Sequence, residues 1–68
     1  MKFGREKYLL LVYNTLTKKQ YNYYYDYYVR NMTQEEIANK YGVHITTVGK
    51  VLKNARKHLI EWGVEHAN

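Results

Sequence analysis

Apolar residues return along this chain at helical spacing, and the strict alternation of a strand is sustained nowhere. From Arg5 onward, Leu9, Val12, Tyr13 and Leu16 mark one face of a first amphipathic helix of about two to three turns. Two helix starts follow. Thr17-Lys-Lys-Gln20 and Thr33-Gln-Glu-Glu36 both fit the reciprocal capping box, in which the threonine oxygen accepts an orphan backbone N–H and the residue three places on reaches back to the cap. They predict a second helix from about Thr17 to Arg30 and a third opening at Gln34. The chain has no proline, and its glycines stand only at Gly4, Gly42, Gly49 and Gly63, which leaves long stretches compatible with helix.

The second helix contains YNYYYDYYVR, Tyr21 to Arg30, with six tyrosines in ten residues. Tyr21, Tyr24, Tyr25 and Tyr28 fall at i, i+3, i+4 and i+7 and predict the packing face, with Tyr23 and Tyr27 to its side and Asn22, Asp26 and Arg30 away from it. A tyrosine ring covers apolar surface while its hydroxyl reaches water, so the tract reads as a core helix written in tyrosine. Base stacking is the competing role. A β-prone aggregating segment is opposed by Asp26, Arg30 and the capping box.

Between Gln34 and Lys53 the residues Ile37, Ala38, Tyr41, Gly42, Val43, Val48 and Val51 sit at the offsets of a helix-turn-helix. A small residue at Ala38 lets two helices cross closely, and Gly42 supplies the positive-φ position that ends the first of them. Val43, Val48 and Val51 fill the angle. An αα-hairpin without a DNA role is the bland alternative. The following helix, about 44–62, sorts into two faces. Val48, Val51, Leu52, Ala55, Leu59 and Trp62 form an apolar stripe ended by Gly63, while Thr46, Gly49, Lys50, Lys53 and Lys57 lie opposite. From Gly49 to Leu59 the charges are Lys50, Lys53, Arg56 and Lys57, with no acid among them.

At 68 residues there is room for one domain, expected to be an all-α bundle of about four helices. With no cysteine, neither a disulfide nor a thiolate zinc site can staple it. The apolar run Tyr8 to Tyr13 is too short for a membrane span and lacks a cleavage site, so a cytoplasmic protein that does not engage membrane is expected. A formal net charge of +5 predicts attraction to polyanions.

From Leu16 through Leu59 the chain resembles, without a gap, region four of the sigma-70 family of bacterial sigma factors. The matching pieces are LTKKQ, TQEEIANKYGV and TTVGKVLKNARKHL, characteristic together and unspecific singly. The division that follows is an extra N-terminal helix over 1–14, a region-four-like part over 15–62 and a tail over 63–68. The resemblance implies a helix-turn-helix of the homeodomain-like or winged-helix-like kind, which reads the promoter −35 element in double-stranded DNA and docks on RNA polymerase. By that resemblance Ile45, Thr46, Gly49, Lys50 and Lys53 would face bases, and Thr33, Gln34, His44, Thr47, Arg56 and Lys57 would sit near phosphates. Two positions depart from the family: Gly49 stands where Lys or Arg is common, and Ile45 where a polar residue is usual. Ile45 is open to two readings, a thymine-methyl contact or an extra core residue. Regions that clamp polymerase or melt DNA have no counterpart, so the chain is expected to act as a lone module. Its tyrosine-rich helix after an LT-x-x-Q start is also similar to the stand-alone family associated with signal-recognition-particle genes.

No catalytic constellation emerges. Glu35 and Glu36 are helix neighbours about 100° apart, and His44, His58 and His66 lack metal-site spacing, so no cofactor, metal or catalytic residue is expected. Two function classes remain: a small bacterial or phage DNA-binding regulator, and an interaction module of the same fold that binds polymerase, a sigma factor or a ribonucleoprotein without reading DNA. Leu9, Val12, Tyr13 and Leu16 form a candidate face for packing on the tyrosine helix or for a homodimer.

Overall fold

The computed structural model describes residues 2–65, with side chains described from Glu6 onward. They form four helices: α1 (Lys2–Thr15), α2 (Lys18–Tyr28), α3 (Gln34–Tyr41) and α4 (Ile45–Glu61). No strand occurs among the described residues, so the fold is the small all-α bundle that the spacing predicts. α1 is longer than its recurring apolar residues suggest, since it starts at Lys2.

Both capping boxes form. Thr17 Oγ1 accepts from the Gln20 backbone N–H at 3.2 Å and Gln20 Oε1 accepts from that of Thr17 at 3.1 Å. Thr33 and Glu36 repeat the exchange at 3.1 and 2.8 Å. Each pair satisfies two N–H groups that the first turn of a helix cannot pair internally. At the other end of α3, Gly42 takes φ 65°, and Val43 N–H donates back to the Ala38 carbonyl. This left-handed residue redirects the chain and sets the angle of the helix-turn-helix.

α4 is the spine of the core. Its C-terminal half contributes Ala55 and Leu59 to a cluster with Val12, Leu16 and Tyr24, and its N-terminal half contributes Val48 and Leu52 to a cluster with Tyr23, Ile37 and Ala38. α2 therefore packs on two sides, and one stripe of tyrosines cannot serve both. Tyr23 and Tyr24, about 100° apart, are the buried pair, while Tyr21 and Tyr25 are half-buried and Tyr28 is 50% exposed. The single-face assignment of Tyr21, Tyr24, Tyr25 and Tyr28 is corrected accordingly, although the helix is core.

Asp26, expected to face away from the core, is only 3% exposed. Lys40 and Tyr41 of α3 close over it: Lys40 Nζ donates to both carboxylate oxygens at 3.1 and 3.0 Å, and the Tyr41 hydroxyl donates at 2.7 Å. Trp62 is also displaced from its predicted place in the apolar stripe and is 75% exposed. α4 stops at Glu61, Gly63 turns at φ 73°, and Val64 N–H donates to the Leu59 carbonyl, so Val64 takes the apolar position that a continuing helix would have given to Trp62. Of the expected α1 face, Val12 and Leu16 lie in the chain's own core, Leu9 is half-buried, and Tyr13 is corrected to a solvent position, 58% exposed. The apolar side chains that α1 leaves in solvent are Leu10, Leu11 and Tyr13.

Candidate nucleic-acid interface

The helix-turn-helix is α3, the Gly42 turn and α4. His44 caps α4: its Nδ1 accepts from the Thr46 backbone N–H at 3.2 Å and lies 2.9 Å from Thr46 Oγ1. The side chains of His44 and Thr46 thus hold each other at the exposed start of the helix, and Thr33 is similarly committed to its capping box. Ile45 is 43% exposed, which removes the core reading of that residue and leaves an apolar side chain beside the cap. Thr47 is half-buried.

Further along α4, Lys50, Lys53 and Lys57 are exposed and, among the described residues, make no ion pair. Arg56 differs. Its Nε lies 3.3 Å from Glu65 Oε1, nine residues on and beyond the end of α4. The turn at Gly63 brings Glu65 back, and Glu65 Oε2 accepts from the hydroxyls of Tyr8 at 2.7 Å and Tyr24 at 2.6 Å. Those hydroxyls are 2.7 Å apart. Burial, with Glu65 close by, pushes both tyrosines above their ordinary pKa near 10, so they remain neutral donors at physiological pH. The network ties α1, α2 and the end of α4 together and partly neutralises one of the four cations. Glu65 has no signal in the sequence pattern, because only the turn at Gly63 makes it a neighbour of Arg56.

Gly49 is half-buried beside Gln34 at the start of α3. A Cβ placed there would meet only Gln34 Oε1, at 3.5 Å, an ordinary contact. The protein's own packing therefore does not require glycine at this position. Gln34, Gly49, Lys53, Arg56 and Lys57 share one open groove of about 920 Å³, whose remaining lining includes Tyr27 and Tyr28 from α2 and the acid Glu61 at the end of α4. The two tyrosines were not among the residues that the resemblance assigns. Opposing these cations, Glu35 and Glu36 stand exposed at the start of α3.

Among the described residues no group of three His, Asp or Glu side chains converges to hold a metal ion, and His66 lies outside them. No described helix is long and apolar enough to cross a membrane. No curated protein and no solved structure matches the chain. A family model does match residues 2–65, and its description is "Putative helix-turn-helix protein, YlxM / p13 like". Nearly the whole chain is covered, through all four helices and the turn at Gly42. The chain belongs to this helix-turn-helix family.

Proposed function

We propose that the protein is a sequence-specific DNA-binding regulator of transcription that places the N-terminal half of α4 in the major groove. The observation that carries the reading is the outward face of α4, where Lys50, Lys53 and Lys57 stand exposed and unpaired among the described residues on the helix after the Gly42 turn. Ile45, Thr46, Gly49, Lys50 and Lys53 face bases, Ile45 offering apolar contact to a thymine methyl. Since no neighbour in the protein demands Gly49, its missing side chain serves close approach of the α4 backbone to the duplex.

Phosphate contacts fall to Arg56, Lys57 and Gln34, with Thr33, His44 and Thr47 at the capped helix ends. Glu35 and Glu36 repel phosphate at the start of α3, so the backbone contacts concentrate on α4. A module this small reaches few phosphates, and its affinity at physiological salt is modest unless a second copy or RNA polymerase tethers it. The resemblance to sigma region four makes polymerase a candidate tether. A second reading, an interaction module that ignores DNA, is favoured by one observation: Leu10, Leu11 and Tyr13 stand exposed on α1.

Selection from a random duplex pool at two salt concentrations separates the readings. A short motif retained at the higher salt supports sequence reading, whereas retention at low salt alone, with no enriched sequence, favours the interaction module. With a site in hand, Lys50→Ala is expected to weaken that site more than random duplexes. Lys57→Ala should weaken all duplexes alike and reduce the slope of log affinity against log salt by about 0.9. Equal losses from both variants on every sequence would sink the assignment of Lys50 to base readout.

A further inference from the structure

The open groove beside α4 has two unlike walls. One carries Arg56 and Lys57, with Lys53 and the exposed acid Glu61 also in the lining, and the other is the tyrosine edge of α2, Tyr27 and Tyr28. Three of the nine tyrosine hydroxyls are bound by a carboxylate, those of Tyr8 and Tyr24 by Glu65 and that of Tyr41 by Asp26, and of the others only Tyr27 and Tyr28 line this groove. Among the described residues, no hydrogen bond occupies the hydroxyl of Tyr27 or of Tyr28. We infer that this groove seats the sugar–phosphate backbone of one DNA strand, with the Tyr28 and Tyr27 hydroxyls donating to phosphate from the side opposite the α4 cations. The inference rests on the DNA reading above and adds α2 to the interface.

The aromatic geometry selects hydrogen bonding over stacking. Tyr28 already has Tyr24 across it, tilted at 39° with centroids 4.6 Å apart, and Tyr27 perpendicular to it at 4.9 Å. What a half-exposed ring so flanked offers the groove is its rim and hydroxyl, a neutral donor suited to phosphate oxygen. Dimensions agree. A major groove about 12 Å wide and about 8.5 Å deep puts its bounding phosphates roughly 10 Å from base edges on its floor. The helix from Lys50 to Lys57 rises roughly 10 Å, so a base contact at Lys50 brings the phosphate ridge level with Lys57 and the tyrosine wall.

The test is fluorescence anisotropy of the full chain on duplex DNA and on single-stranded RNA, across a salt series, for wild type, Tyr28→Phe, the Tyr27→Phe/Tyr28→Phe pair and Lys57→Ala. Phenylalanine keeps the rings and their packing. Tyr28→Phe is expected to weaken all duplexes about fivefold, with more loss in the pair. Neither tyrosine variant should change the salt slope, because a neutral donor releases no counterion. Wild-type binding to duplexes with unchanged affinity in both tyrosine variants would overturn the clamp and leave the DNA reading standing. A wild type that binds single-stranded RNA and no duplex would overturn both.

Discussion

Replacing Asp26 with alanine removes the polar fastening between α2 and α3, and its cost can be worked from the contacts. The carboxylate is 3% exposed and accepts two bonds from Lys40 and one from Tyr41, with Arg30 Nε 3.6 Å away on its own helix. A hydrogen bond to a charged group contributes about 1.5–3 kcal/mol, and truncating one partner of a fully buried pair costs about 3–5 kcal/mol. The cations here are 60% (Arg30) and 40% (Lys40) exposed and regain water once the carboxylate is gone, so the lower figure applies, about 2 kcal/mol. A domain of this size has about 3–10 kcal/mol in total. Each kcal/mol moves the melting temperature by about 4–8 °C, giving a fall of about 8–16 °C for Asp26→Ala. Thermal circular dichroism of wild type, Asp26→Ala and Asp26→Asn at neutral pH measures it, with the asparagine variant expected between the other two. A melting point for Asp26→Ala within about 2 °C of wild type would refute the claim that this carboxylate holds the two helices together.

The two interior glycines should respond to alanine with opposite signs. Gly42→Ala places a Cβ at φ 65° and loses about 1–2 kcal/mol, whereas Gly49→Ala, with only an ordinary contact to Gln34, gains up to about 1 kcal/mol of helix propensity; urea midpoints shifting in the same direction would contradict this. Alkali should unfold the protein early. Tyr8, Tyr21, Tyr24 and Tyr41 keep their protons above the ordinary pKa near 10, burial being the first cause in each, so the unfolded chain loses protons first. Lys40, raised by its bond to Asp26, acts in the same sense. The stability these groups contribute is whole below about pH 10 and is lost as pH rises through their higher folded values. Urea midpoints flat from about pH 9 to 11, or tyrosinate absorbance rising as for free tyrosine, would rule that out.

Features encoded within a few residues are legible in the sequence. Thr17 with Gln20 and Thr33 with Glu36 specify helix starts locally, Gly42 specifies a left-handed stop, and the spacing of Val48, Leu52, Ala55 and Leu59 specifies one buried face. What escaped depends on where α2 lies in three dimensions. A helix packed on one side needs one stripe, and the periodicity of the tyrosines was compatible with that. α2 is gripped on two sides, which moves Tyr23 into the core, turns Tyr28 outward and buries Asp26 where Lys40 and Tyr41 can reach it. The same limit governs the candidate site. The basic face of α4 is visible as a run of cations without acids, but the run is not the charge a phosphate meets. Gly63 returns Glu65 to Arg56, and the tyrosine edge of α2 adds neutral donors on the other side. The unshared positive charge of α4 is therefore carried by Lys50, Lys53 and Lys57, along a rise of helix that leads from its N-terminal half toward the groove. That gradient favours an approach with the N-terminal half of α4 foremost.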